Sequence, residues 1–393
     1  MNKERWLLPE GIEEVLPPQA AQLEAKRREL LDLYRSWGYE LVMPPFIEYL
    51  ESLLTGTGDD LDLQTFKLTD QLNGRMMGVR ADMTPQVARI DAHLLKRETP
   101  TRLCYMGTVL HTRPDGFGAS RAPLQLGLEL YGHQGIESDV EVFCLMVETL
   151  AASGHQDVYF DLGHVGIYRG LVQQAGLDKE QENALFDALQ RKAKPEIHSM
   201  LSALDLPTTL TDMLIGLTEL NGDESVLAQA DTVLADANDD IKQAIAELKS
   251  IAQLIKQRLP QVSLHYDLAE LRGYHYHTGV VFAAFVPGKG QAVAQGGRYD
   301  GIGKVFGHAR PATGFSTDLK TLLALTTPAV IQQAGIFAPA DQDAALQTQI
   351  KQLRASGERV IEALPGQVGD AKAMQCDRQL VKAQTGWVVE QIK

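Results

Sequence analysis

Strand-type runs flank an unbroken helical block, Leu177–Leu259, and this break in periodicity limits the folds open to the chain. Before the block, β-type patterns occur at Tyr39–Met43, Thr65–Leu68, Met76–Val79, Arg102–Leu110, Leu124–Tyr131 and Val158–Leu162. After it they return at Val262–Asp267, Val280–Val286 and Gln291–Ala294. Inside it, Gln181–Lys192, Ser225–Ala235 and Ile241–Arg258 carry apolar residues at helical spacing, and β-branched runs vanish. The pattern predicts an α+β protein. Residues 1–325 form a β-rich domain with a helical insertion at about 177–259. Beyond Pro328, a strand (Gly335–Ala338), a helix (Ala344–Ala355), a strand (Arg359–Ala363) and a closing Trp387–Ile392 segment predict a small α/β C-terminal domain over residues 331–393.

Two further helices frame the first strands. Ala20–Trp37 puts Leu23, Leu30, Tyr34 and Trp37 on one stripe, Gly38 ends it, and Pro44-Pro45 stops the strand that follows. A second helix is expected from about Val140 to Ala152. The GGRYDGIG stretch (Gly296–Gly303) reads as a loop whose glycines let a backbone approach a pocket. It lacks the strand–turn–helix setting of a phosphate-binding loop.

Composition narrows the function. The formal charge of −14 and a pI near 5.2 oppose a long phosphate backbone, and no basic run offsets that field. No apolar run approaches the roughly 20 residues of a membrane span. The N-terminus has no apolar core before a small-residue cleavage site. Cys104, Cys144 and Cys376 are widely separated, with no metal spacing and no even disulfide framework, which suits a reducing cytoplasm. Neither a cofactor nor a metal is expected.

Two segments carry candidate binding chemistry. In LQLGLELYG (Leu124–Gly132), strand alternation sends Leu124, Leu126, Leu128 and Leu130 to one face and Gln125 with Glu129 to the other. Gly127 between them would leave room for a ligand at the backbone; a half-exposed edge strand would show the same alternation. LRGYHYHTGVVF (Leu271–Phe282) gathers an arginine, two tyrosines and two histidines around Gly273 and Gly279. Arg272 suits a carboxylate ligand, or equally an ion pair with Glu270 or Asp267. His275 is read as a loop imidazole, and His265 points outward on its strand.

With VRADMTPQVAR (Val79–Arg89), these segments resemble the histidine-binding face of histidyl-tRNA synthetases, class II synthetases built on an antiparallel sheet flanked by helices. The order VRADMTP, LQLGLELYG, LRGYHYHTG, GGRYDGIG, ATGF follows that template over most of the first 325 residues. The helix, strand and double proline at Ala20–Pro45 resemble the dimer-forming motif of that class, though an ordinary αβ unit would read alike. By this resemblance Asp82, Thr84 and Gln125 would hold an α-amino group, with Asp82 where the family has glutamate. Arg272 would take the carboxylate. Glu129 and Tyr276 or His277 would address the imidazole, His277 replacing a family tyrosine.

The ATP-handling parts of the template differ. Activating a carboxylate on ATP demands fixed cations at the α-phosphate. His111 stands where the synthetases place one arginine, and Thr321 where they place another; Asp318 replaces a glycine. A histidine cannot hold a permanent charge at neutral pH. Arg113, Arg121 and Lys320 are the cations that could fill the gap. The RPDGFGASRAPLQ and RGYHYHTG stretches are similar to the regulatory subunits of ATP phosphoribosyltransferase, paralogues of histidyl-tRNA synthetase without aminoacylation activity. That family implies a cytoplasmic homodimer within a hetero-oligomer with a short-form catalytic subunit, and histidine as ligand and feedback signal. It implies no tRNA and no membrane. An active histidyl-tRNA synthetase and a free histidine-binding protein are the alternatives.

Overall fold

The computed structural model describes residues 6–55, 59–114, 120–204, 206–274, 276–326 and 335–392. They divide into two compact units, Met1–Thr327 and Pro328–Lys393. In the first, α1 (Gln19–Ser36) leads to the edge strand β1 (Glu40–Leu41). A small antiparallel sheet follows, made of β2 (Ile47–Tyr49), β3 (Phe66–Thr69) and β4 (Met76–Val79), with α2 (Leu50–Leu53) and α3 (Asp59–Gln64) between β2 and β3. Helix α4 (Thr84–Arg89) runs into a π-helical turn at Ile90–Leu95. The long strands β5 (Thr101–Thr108) and β6 (Leu124–Tyr131) come next, then α5 (Ile136–Ala152) and β7 (Tyr159–His164).

Six helices then run nearly without strands: α6 (Val165–Ala175), α7 (Lys179–Gln190), α8 (Lys194–Ser202), α9 (Thr208–Leu217), α10 (Ser225–Val233) and α11 (Asp239–Arg258). Only the two-residue β8 (Asn221–Gly222) interrupts them. The chain returns to the sheet as β9 (Leu264–Asp267), β10 (Val280–Phe285), β11 (Ala294–Arg298) and β12 (Ala312–Asp318), and α12 (Leu319–Ala324) follows.

The main sheet has nine strands in the order β1-β5-β6-β12-β11-β10-β7-β9-β8. All its pairings are antiparallel except β1 with β5 and β7 with β9. Strand β6 is therefore interior, paired with β5 on one side and β12 on the other. Its alternation is not that of a half-exposed edge. Leu126, Leu128 and Leu130 enter the main core beneath α5, while Glu129 is only 1% exposed on the opposite face.

Glycines in this sheet make room for neighbouring side chains. At Gly127 a Cβ would collide with the Tyr105 ring and hydroxyl, so the space expected there for a ligand is occupied by Tyr105. Gly296 and Gly297 lie within β11, not in a loop. A Cβ on Gly296 would strike the carbonyl of Gly314 on the adjacent strand. The strand expected at Gln291–Ala294 instead spans Ala294–Arg298. Two buried ion pairs pin the ends of this region. Arg298 bonds Asp139 at 2.8 Å and Ser138 at 2.9 Å; Arg310 bonds Asp91 at 3.0 Å and the Thr99 carbonyl at 2.6 Å. Breaking such a pair leaves a buried charge alone, so both residues hold their strands firmly.

The second unit is a four-stranded sheet, β14 (Val360–Glu362), β13 (Ile336–Ala338), β15 (Arg378–Ala383) and β16 (Gly386–Gln391), in that order. Helix α13 (Ala344–Ala355) buries Leu346 and Ile350 with Ile336, Val360 and Leu380. Asp343 caps α13 through the Ala345 amide and accepts the Trp387 indole N–H at 3.0 Å. Among the described residues, no helix is long and apolar enough to cross a membrane.

The tightest point of the main sheet is Gly314, paired in register with Glu129. A Cβ there would overlap Oε2 of Glu129 and lie 2.6 Å from the Leu128 carbonyl. Gly314→Ala should cost about 1–3 kcal/mol or more through overpacking. An unchanged urea midpoint would contradict this packing.

A tyrosine-lined carboxylate and the cleft beside it

Strands β6, β10, β11 and β12, with the β9–β10 loop, enclose a cavity of about 190 Å³. Asp82, Thr84, Glu129, Arg272, Tyr276 and His277 all line it. The seventh candidate, Gln125, stands behind Asp82 instead. Its amide donates to Asp82 Oδ1 at 2.6 Å and its carbonyl accepts the Met83 N–H at 2.9 Å. Gln125 thus fixes the turn that presents Asp82, and Thr84 N–H donates to the same Oδ1 at 3.0 Å. His275 lies outside the described residues. His265 is exposed on β9, 3.1 Å from Asp161.

Glu129 is the cavity's deepest charged group. Tyr105 donates its hydroxyl to Oε1 at 2.9 Å, Tyr299 donates to Oε2, and the Thr84 hydroxyl bonds Tyr105 at 2.9 Å. These donors favour the carboxylate, but burial outweighs them and pushes Glu129 up to about 8. Tyr276 stacks on Tyr299 with centroids 4.9 Å apart, and its buried hydroxyl has no hydrogen-bond partner among the described residues. A polar ligand atom in the cavity could satisfy it. His277 contacts the Arg298 carbonyl through Nδ1 at 3.3 Å, and burial pushes its imidazole down to about 4. Burial therefore favours the neutral forms of both Glu129 and His277 in the cavity.

Arg272 makes the ion pair of one of its sequence readings, with Glu270 at 3.1 Å. Its guanidinium also lies 4.9 Å from the Phe285 ring centroid, and the residue is exposed and lines the cavity. Tyr105 and Tyr299 were not singled out in the sequence. Tyr299 sits in the quoted GGRYDG motif, and Tyr105 is an inward position of β5; both reach Glu129 only through strand pairing.

A second cleft of about 580 Å³ shares Asp82, Arg272, Gln295 and Ser316 with the cavity. Its described lining mixes apolar residues such as Leu61, Val109 and Phe285 with amides, hydroxyls and acids, and Arg272 and Lys289 are its arginine and lysine cations. His111 lines it but spends Nε2 on the Ala81 carbonyl at 2.8 Å. Asp318 accepts from the Leu124, Lys320 and Thr321 amides and from the Thr321 hydroxyl, capping α12. The three substitute cations stand elsewhere. Arg121 donates to the carbonyls of His111 and Glu10, and Lys320 to that of Ala122 at 2.8 Å. Arg113 is exposed and is not among the described lining residues.

The described part of this geometry has counterparts in known proteins. A histidyl-tRNA synthetase family model matches residues 11–322, and one for the C-terminal domain of ATP phosphoribosyltransferase subunit HisZ matches residues 333–390. An ATP phosphoribosyltransferase regulatory subunit from Thioalkalivibrio sulfidiphilus is 64% identical, with 97% of each chain covered. The chain belongs to the ATP phosphoribosyltransferase regulatory subunit family. A regulatory subunit from Nitrosococcus oceani is 55% identical over 99% of this chain and 98% of its own. A solved Bacillus halodurans protein, titled a regulatory subunit/histidyl-tRNA synthetase, has TM-score 0.83 at 27% identity, covering 94% of this chain and 95% of its own. A Nostoc histidyl-tRNA synthetase has TM-score 0.77 at 19% identity, covering 98% of this chain and 97% of its own. The fold of this regulatory-subunit family member is that of the class II synthetases.

Glu129 sets a stability signature. Its carboxyl is raised in the folded state, so the folded chain holds this proton more tightly than the unfolded one. The stability it permits is complete below about pH 4.5 and declines as pH rises towards 8. The slope reaches about 1.4 kcal/mol per pH unit for one proton. Unfolding free energies of the wild type minus those of Glu129→Gln, measured without ligand from pH 5 to 8.5, should fall across this window. A flat difference would show that Glu129 is not held neutral.

Proposed function

We propose that this chain is a non-catalytic regulatory subunit of ATP phosphoribosyltransferase that binds histidine in the cavity at Glu129. Asp82 and Thr84 form the α-amino end, with Gln125 holding Asp82 in place from behind, Arg272 meets the carboxylate, and Glu129 with Tyr276 or His277 meets the imidazole. An arriving imidazole N–H or imidazolium would favour ionised Glu129, and the unpartnered Tyr276 hydroxyl supplies a further contact. The partner is a short-form catalytic subunit, with this chain as a homodimer in a cytoplasmic hetero-oligomer and no tRNA substrate. Together they would join ATP to phosphoribosyl pyrophosphate, the first step of histidine biosynthesis, with histidine feeding back on that step. The names of the relatives support the partner.

One observation carries the non-catalytic reading. The cleft beside the cavity, where ATP would have to lie for activation, has Asp82 and Asp318 on its walls and no converging guanidinium pair among its described residues. A nucleoside triphosphate meets like charge there. A regulator needs histidine to bind the two states of the complex unequally; a coupling of about 1–3 kcal/mol changes activity roughly 5- to 150-fold.

Three measurements test this. The purified chain should stimulate a short-form ATP phosphoribosyltransferase, and histidine should suppress that stimulated activity. It should show no histidine-dependent ATP–pyrophosphate exchange, whereas robust exchange would make it a synthetase. Arg272→Ala should weaken histidine binding by roughly 10- to 100-fold through loss of a charged contact. Wild-type affinity in that variant would remove Arg272 from the site.

A further inference from the structure

The loop that carries Arg272, Tyr276 and His277 has two faces. One lines the cavity; the other is strapped to the helices α6 and α7. Arg169 on α6 donates through Nη2 to the carbonyls of Tyr274 and His277, both at 3.0 Å. Its guanidinium also lies 5.0 Å from the centroid of the Tyr274 ring. That ring is 3% exposed and packs edge-on against Tyr168 at 5.2 Å and tilted against Phe186 at 5.5 Å. The Tyr274 hydroxyl donates to Glu182 Oε1 on α7 at 2.6 Å, and Tyr168 donates to the Glu182 carbonyl at 2.9 Å. Lys192, just past α7, reaches Asp267 at the end of β9 at 2.8 Å.

These contacts alternate along the loop. Tyr274 turns away from the cavity, while Tyr276 and His277 turn into it. Gly273 has φ +64° and a Cβ there would meet the His277 ring, so the loop doubles back tightly between its two faces. The Tyr276 and His277 amides both donate to the Gly273 carbonyl, which stiffens the turn. A ligand that draws Tyr276 or Arg272 inward cannot do so without loading Arg169 and the Tyr274–Glu182 hydrogen bond.

We propose that Arg169 and the Tyr274–Glu182 pair are positioning residues for the amino-acid cavity, and that through them the helices α6 and α7 respond to its occupancy. The inference rests on the reading of the cavity as the histidine site. It assigns the helical segment between β7 and β9 a part in regulation: its first two helices are bonded to the backbone of the ligand loop. Neither Arg169 nor Glu182 lines the cavity. Their effect on binding is exerted through the loop alone.

Calorimetry with histidine, and amide hydrogen exchange with and without it, test this on the full chain. Tyr274→Phe keeps the ring and removes only the hydroxyl; Glu182→Gln removes only the charge. Both should retain a cooperative thermal unfolding transition and bind histidine about five- to tenfold more weakly. In the wild type, histidine should slow exchange across Lys179–Gln190, and in Tyr274→Phe that protection should be lost. Wild-type affinity in both variants, or histidine protection confined to the cavity strands, would overturn the latch while leaving the cavity assignment standing. If the wild-type chain itself does not bind histidine, the cavity reading falls and this inference falls with it.

Discussion

A carboxyl group buried in the middle of a β-sheet constrains nearly everything around it. Glu129 is buried on the inner face of an interior strand, and the sheet supplies its hydrogen-bond partners. Tyr105 from β5 and Tyr299 beyond β11 do so from either side. That arrangement demands small residues across from each large one. Gly127 yields to the Tyr105 ring and Gly314 to the Glu129 carboxyl. The ion pairs of Arg298 with Asp139 and Arg310 with Asp91 then hold the chain before and after the Tyr299 segment, ahead of β12. An unpaired buried polar group is expensive, so such an elaborate support is consistent with a site kept for a ligand and not for stability alone.

On the proposed reading, the contrast with the neighbouring cleft would let one scaffold recognise an amino acid without activating it. Recognition needs a few fixed partners of the right sign at the bottom and mouth of a small cavity. Activation needs preorganised positive charge where a phosphate would develop it. Here Asp318 has become a helix cap, Thr321 its hydroxyl partner, and His111 a bond to a backbone carbonyl. Arg121 and Lys320, the nearest substitutes, are tied to the carbonyls of neighbouring segments. The positions remain, but their chemistry now stabilises the fold.

Much of this was legible before any coordinates. The sheet strands Met76–Val79 and Leu124–Tyr131 and the helix Ala344–Ala355 follow from the sequence pattern with their boundaries intact, and the latter two each turn one apolar face to a core. Helix Val165–Ala175 is missed although its amphipathic face is clear: it follows β7 without a break, and its buried face includes Gly170, against which Ile241 packs. Strand Arg378–Ala383 was missed because only Leu380 is buried along it. At the site, six of the seven residues that the motifs nominate line the cavity, Gln125 being the exception. The partners Tyr105 and Tyr299, and the supporting place of Gln125, depend on which strands pair and in what register. No local pattern encodes that, and it is also why the room at Gly127 was read as space for a ligand when a tyrosine from β5 fills it.

The central claim is that the chain recognises a free amino acid and has given up the nucleotide. Isothermal calorimetry on the purified chain, first with histidine and then with ATP and magnesium, addresses it most directly. Saturable binding of one histidine per chain with no heat of ATP binding is the predicted result. Saturable ATP binding that strengthens when histidine is present would contradict it.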